Sequence, residues 1–169
     1  MIIRPATATD EGAIWRIFHA VVAGGDTYTF PPDTSRTDAL AYFMGPFDSA
    51  QGKPGIRSWV VEDAGGRVIG MYKLVPNYAG LGSHVANASF MVDPAAQGSG
   101  AGRAMGEHCL EQARQAGYEA MQFNFVVSTN TAAVELWKKL GFQIVGTLPK
   151  AFRHSKLGDV DAYVMHRFL

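Results

Sequence analysis

Apolar residues along this chain recur with two periods, and the switches between them mark out the elements. Ile14, Ile17, Phe18 and Val21 fall at helical spacing behind Asp10, which predicts a helix capped by Asp10 and running to about Val22. Ser35, with Asp38 three residues on, resembles a capping box and predicts a short second helix ending near Met44. Met105, Cys109, Ala113 and Ala116 form one stripe, so a third helix opens at Gly100 and closes at Gly117. Ala133, Trp137 and Leu140 line a fourth, starting at Asn130 or Thr131 and ending at Gly141. Strand-like runs cover residues 2–4, 58–61, 68–75, 84–92, 121–127, 142–148 and 161–168. Residues 24–35 and 76–83 read as loops, and 48–55 as a small polar linker. The order β-α-α-β-β-β-α-β-α-β-β describes an α/β (α+β) protein, a mixed sheet with helices on its faces.

Composition narrows the class. With 169 residues the chain is one domain, 1–169, and 47% hydrophobic against 18% charged residues fits a globular protein and argues against disorder. Fifteen basic and fifteen acidic residues cancel, so no global field exists to hold nucleic acid or an anionic membrane. The lone Cys109 excludes an internal disulfide and fits a reducing compartment. The five histidines show no metal-ligand spacing. The N-terminus lacks the pattern of a signal peptide, and no stretch approaches the roughly 20 apolar residues that span a bilayer. The expectation is a cytoplasmic, metal-free protein.

The most informative segment is Met91-Val92-Asp93-Pro94-Ala95-Ala96-Gln97-Gly98-Ser99-Gly100-Ala101-Gly102-Arg103, a strand, a tight turn and the start of a helix. Glycines at 98, 100 and 102 let backbone N–H groups converge, and a helix N-terminus with free amides suits a phosphate or diphosphate. Arg103 adds a charge-assisted donor in the same turn. The P-loop is excluded because no Lys lies here. The dinucleotide fingerprint fails because its last glycine would fall on Arg103 or Met105. What stands is Gln-x-x-Gly-x-Gly, at Gln97, Gly100 and Gly102.

That loop resembles the diphosphate loop of the GCN5-related N-acetyltransferase (GNAT) superfamily. Asn130-Thr131-Ala132-Ala133-Val134-Glu135-Leu136-Trp137-Lys138-Lys139-Leu140-Gly141-Phe142 is similar to its second marker, and Ile3-Arg4-Pro5-Ala6 followed by Asp10 to its first strand and helix. The resemblance covers nearly the whole chain. It implies a mixed sheet of about seven strands with about four helices, acetyl-CoA as cosubstrate, no metal, and a homodimer as a frequent assembly. Within the superfamily, His84-Val85-Ala86-Asn87-Ala88, Phe123-Asn124-Phe125-Val126 and Thr129-Asn130 resemble the fungal proline-analogue acetyltransferases, which act on azetidine-2-carboxylate and related cyclic imino acids. That resemblance implies Asn87 and Asn124 at the substrate and Asn130 at the donor's thiol. The segment Tyr28-Thr29-Phe30 is similar to the phosphinothricin-type enzymes, which acetylate a small amino-acid amine, and implies an acceptor-pocket role for these three residues.

The superfamily resemblance also assigns residues 97–103, including Ser99 and Ala101, to the diphosphate, and the backbone of Phe90, Met91 and Val92 to the pantetheine arm. The Val92 N–H is the expected donor to the thioester carbonyl. Many relatives carry a Tyr acid where this chain has Trp137, whose indole N–H donates a hydrogen bond but is no acid at neutral pH. Asn130, donating to sulfur, is the expected substitute, and a thiol of pKa ~8.5 is a fair leaving group unprotonated. The base is unassigned: no acidic residue lies on the strand before Met91, and His84, Tyr72 and Glu62 are the candidates for a water relay. Each residue also has a plainer role: Asn130 as a helix cap, Asn87 and Asn124 as cross-sheet hydrogen-bonders, Trp137 and Cys109 as core, and Lys138 and Lys139 as a solvated helix end. The leading expectation is an acetyl-CoA-dependent N-acetyltransferase for the amine of a small amino or imino acid. The alternatives are a phosphinothricin- or methionine-type xenobiotic acetyltransferase and a catalytically weak acyl-CoA-binding sensor.

Overall fold

The computed structural model describes residues 1–45 and 57–169, so the polar linker expected over 48–55 lies outside the described residues. Seven strands form one sheet: β1 (Ile2–Pro5), β2 (Arg57–Glu62), β3 (Val68–Pro76), β4 (Val85–Val92), β5 (Ala120–Val127), β6 (Gln143–His154) and β7 (Gly158–Phe168). Their spatial order is β1-β2-β3-β4-β5-β7-β6. The helices are α1 (Glu11–Val22), α2 (Arg36–Met44), α3 (Ala101–Gln115) and α4 (Thr131–Lys139). Element order and fold class are those the sequence predicts.

Both sheet faces are covered. The α1 stripe of Ile14, Ile17 and Phe18 packs with Ala39 and Phe43 of α2 onto Val60, Met71 and Met91. On the other face, Met105, Cys109 and Ala113 of α3 and Trp137 of α4 pack onto Tyr72, Leu74, Met121 and Met165. Each large side chain so buried contributes roughly 1.5–3 kcal/mol. Ala116, placed on the α3 stripe by its spacing, falls one residue past the helix end and is exposed.

One capping expectation is corrected. Asp10 is buried but makes no cap bond to α1; its carboxylate accepts from the Thr7 N–H at 2.8 Å and from two guanidinium nitrogens of Arg4, each at 2.8 Å. A positive partner on β1 takes the carboxylate back into the preceding 3₁₀ turn, where it joins the sheet edge to α1. By contrast, Ser35 caps α2 as its sequence predicts, accepting from the Asp38 N–H at 3.1 Å.

The last two strands run further than the apolar pattern indicates. The pattern breaks at Pro149 and Lys150, yet pairing resumes at Phe152 opposite Val160. Between them lies a bulge in which Lys150 adopts φ 51° and its N–H donates to Asp161 Oδ1 at 2.8 Å. The lengthened hairpin reaches the loop after α1. There Ser155 donates its N–H to the Gly25 carbonyl at 2.9 Å and its hydroxyl to the Gly24 carbonyl at 2.8 Å. Among the described residues, no helix is long and apolar enough to cross a membrane.

Candidate active site

The site follows from one irregularity of the sheet. All neighbouring strands are antiparallel except β4 and β5, which pair in parallel only at Val85–Ala120 and Ala86–Met121. Beyond Ala86 the two strands part, and the β4 edge from Asn87 to Val92 faces a cleft. The Asp93 N–H bonds the Ile69 carbonyl on β3 at 2.8 Å, so alternate residues, Phe90 and Val92, turn their backbone groups into the cleft.

At the end of β4, Asp93 holds the turn. Its buried carboxylate accepts from Arg16 of α1, from Arg67 at 2.8 Å and from the Ala95 N–H at 3.0 Å. Burial pushes this carboxyl up; the hydrogen bonds from Arg16, Ala95 and Arg67 outweigh that and hold its pKa below the ordinary carboxylate range. Gly98 and Gly100 then adopt φ of 79° and 86°, conformations that L side chains resist. A Cβ on Gly98 would meet no atom within 4 Å, and one on Gly100 only the Met1 side chain at 3.7 Å, so both glycines border open space. The α3 N-terminus opens into a cavity of about 760 Å³.

Phe90, Met91, Val92, Gln97, Gly98, Gly100, Ala101, Gly102, Asn130 and Trp137 all line that cavity. Of the backbone groups expected at the pantetheine arm, those of Met91 face β3 opposite Met71, and the Phe90 N–H and carbonyl bond the Tyr28 hydroxyl. Ser99 and Arg103 do not: Ser99 Oγ accepts weakly from the Ala101 N–H at 3.4 Å, and the exposed Arg103 guanidinium pairs with Glu107 at 2.8 Å. The opposite wall holds Val21, Asp26, Thr27, Tyr28 and His154, of which only Tyr28 has a signal in the sequence. The α1 loop and the hairpin supply this wall, and nothing local in either segment encodes that they meet.

A second cavity, of about 260 Å³, shares part of its wall with the first. Asn87, Asn124, Tyr28, Thr29 and Phe30 line it, together with Tyr42, Ser89 and Phe125. Asn124 sits in a chain of amides: Gln122 Nε2 donates to its Oδ1 at 2.8 Å, and its Nδ2 donates to Asn77 Oδ1 at 2.7 Å. The plainer cross-sheet role is therefore real, and one amide hydrogen of Asn124 is left over by its donor inventory. In its wall, Tyr42 and Ser89 share a hydroxyl–hydroxyl bond of 2.6 Å. Buried Lys73 donates to the Tyr42 carbonyl at 3.0 Å and lies 3.1 Å from the Tyr42 ring centroid. Burial lowers its pKa to about 8. A lysine within the apolar run 68–75 is the signal that sequence reasoning passed over; Asn77 and Tyr42 had none.

None of the three candidate bases reaches either cavity. Tyr72 is fully buried, stacked on Trp59, and bonded to His108 Nδ1 at 2.6 Å. Glu62 pairs with Arg4 at 2.6 Å, and the exposed His84 bonds the Leu81 carbonyl at 3.1 Å. Trp137 is core, 7% exposed, with ring centroids 4.8 Å from both Phe90 and Phe123. Asn130 caps α4, accepting from the Ala133 N–H at 3.2 Å, which leaves its amide donors to the cavities. Among the described residues, no group of three His, Cys, Asp or Glu side chains is placed to hold a metal.

Residues 25–142 match the Acetyltransferase (GNAT) family. The chain belongs to this family. It is similar along its length to the structure of a GCN5-related N-acetyltransferase from Kribbella flavida, with TM-score 0.92, 43% identity, and 99% of this chain and 97% of that chain covered. It is also similar to yncA, a putative acetyltransferase from Salmonella typhimurium solved with its cofactor acetyl-CoA, with TM-score 0.83, 26% identity, and 100% and 94% covered. The N-acetyltransferase aca1 of Schizosaccharomyces pombe is 35% identical over 98 residues, which are 57% of this chain and 47% of that protein. The chain thus matches about half the length of that curated relative. In this GNAT chain the two cavities share Thr27, Tyr28, Phe90, Asn130, Ala133 and Trp137.

Proposed function

We propose that the protein transfers the acetyl group of acetyl-CoA to the amine of a small amino or imino acid, with cyclic imino acids of the proline-analogue type as the acceptor class. The observation that carries this reading is the smaller cavity, where Asn87 and Asn124 stand among aromatic walls. No acidic or basic side chain lines it among the described residues. A volume of about 260 Å³ suits a small molecule rather than a peptide. Amide N–H groups are donors fit for an acceptor's carboxylate, while Phe30, Phe90 and Phe125 suit an apolar ring. An ammonium would find no counter-ion there, which favours the neutral amine that attack requires.

The fit of acetyl-CoA to the larger cavity rests on the glycine turn and the α3 N-terminus, a cradle of backbone N–H groups for a diphosphate. Acetyl-CoA supplies the activated acyl group. In this reading the Val92 N–H, turned into the cleft, polarises the acyl oxygen; Asn87 and Asn124 orient the acceptor; and Asn130, fixed as the α4 cap, donates towards the sulfur. Asp93 keeps these parts in register by joining the end of β4 to α1.

Thiol release from acetyl-CoA, measured with azetidine-2-carboxylate, proline, methionine, phosphinothricin and a lysine peptide, tests the reading. Release with the cyclic imino acids is expected. Release with the primary amino acids alone would move the acceptor class, and release with the lysine peptide alone would refute a small-molecule acceptor.

A further inference from the structure

Tyr28 occupies a place its sequence position does not explain. It belongs to the loop after α1, yet its hydroxyl reaches the cleft edge of β4, 62 residues away in sequence, where it accepts from the Phe90 N–H at 3.1 Å and donates to the Phe90 carbonyl. Both cavities have Tyr28 in their walls. Of the six residues the cavities share, Tyr28 alone carries a phenol. The indole of Trp137 is fixed by packing on Phe90 and Phe123.

We propose that Tyr28 is a catalytic residue of the acetyl transfer, a second hydrogen-bond donor to the departing sulfur beside Asn130. The inference rests on the acetyltransferase reading but is independent of which amine is the acceptor. As the acceptor nitrogen bonds the acyl carbon, the C–S bond breaks and its electron pair stays on sulfur. The nitrogen gives its proton to water. Tyr28 turns its O–H from the Phe90 carbonyl to the sulfur while the Phe90 N–H keeps its oxygen in place. Burial pushes the phenol pKa far above that of a thiol, at ~8.5, so the proton remains on Tyr28 and the thiolate takes its own from solvent. The hydroxyl thus stabilises charge as it develops on sulfur, in the manner of an oxyanion-hole donor.

The test is Y28F, with one readout in turnover and one in binding. Loss of a single donor to a developing anion is expected to lower kcat by about 10²-fold. The binding readout uses free CoA and desulfo-CoA, titrated by calorimetry from about pH 6 to about pH 10, across the thiol pKa of ~8.5. The wild type is expected to gain more affinity for CoA than for desulfo-CoA as pH rises, because Tyr28 stabilises the thiolate, while the phosphate and lysine titrations are common to both molecules; in Y28F the two molecules show the same dependence. An unchanged kcat, or the same pH dependence in both proteins, would overturn the proposal. Equal loss of CoA and desulfo-CoA binding in Y28F would mark Tyr28 as a strut for its loop and overturn it too. Failure of the wild type to bind either molecule would overturn the acetyltransferase reading itself. If Y28F does not fold, the wild type still decides: CoA binding with no more pH dependence than desulfo-CoA binding refutes the proposal.

Discussion

The two cavities are built from different materials. One wall of the larger is backbone: a strand edge, two glycines at positive φ and the first turn of a 15-residue helix, all within residues 90–102. The smaller one is mostly side chains brought from the α1 loop, α2, β4 and β5, and held by hydrogen bonds between distant residues. A backbone cradle binds whatever presents the right anion, because peptide N–H groups are the same in every sequence. A side-chain pocket changes its ligand with each substitution. The first arrangement suits a shared donor, and the second an acceptor that differs between relatives.

The division of labour has measurable consequences. The largest effect is expected from Gly100→Val, which forces a β-branched residue to φ near 86° and fills the space before α3. Acetyl-CoA affinity is expected to fall about 10²-fold or more, equivalent to two lost charge-assisted hydrogen bonds. Asn87 and Asn124 keep their places, so calorimetry should show acceptor binding unaffected; its loss would join the two cavities into one unit.

Next is Asp93→Ala, which strips the turn of its tie to α1. Arg16 and Arg67, whose side chains are 42% and 57% exposed, return to water, so the loss is about 1–3 kcal/mol rather than that of a stranded buried charge. Differential scanning calorimetry reads this as roughly 2–4 °C per kcal/mol. Because the folded Asp93 titrates below the unfolded value of ~3.9, its contribution is present above that pH and is lost as pH falls through the folded pKa. The Arg4 hydrogen bond likewise lowers Asp10 to about 2. Acid melts of the wild type should therefore fall more steeply below about pH 4 than those of Asp93→Ala, which keeps only the Asp10 share.

The smallest effect is expected from Ser155→Ala. It removes the hydroxyl bond to the Gly24 carbonyl but leaves the backbone bond to Gly25. At about 0.5–1.5 kcal/mol, the loosened wall of the larger cavity should raise the acetyl-CoA Kd by about two- to tenfold with the acceptor KM unchanged. A change in the acceptor KM alone would place the hairpin on the acceptor side.

The same division decides what was legible in the sequence. The glycine turn, the Ser35 cap and the helix stripes are local patterns, set by neighbours a few residues away. Asn130 and Trp137 were placed for the same reason, as cap and core of one short helix. The side-chain walls of the two cavities depend on pairs such as Tyr28 with Phe90, Asn124 with Asn77 across 47 residues, and Ser155 with Gly24 across 131. No periodicity encodes these. Asp10 shows the limit at close range, since its capping position is plain while the Arg4 that claims its carboxylate lies on a strand. The long hairpin was hidden likewise, because a bulge at Lys150 interrupts the apolar pattern without ending the strand.

The most direct test of separate donor and acceptor sites is the acetyl-CoA Kd of Asn124→Ala beside its steady-state turnover with azetidine-2-carboxylate. The account predicts a kcat/KM for the acceptor lower by about 10- to 100-fold, the worth of a hydrogen bond to a charged group, and an unchanged acetyl-CoA Kd. Full turnover with Asn124 removed, or a parallel loss of acetyl-CoA binding, would contradict it.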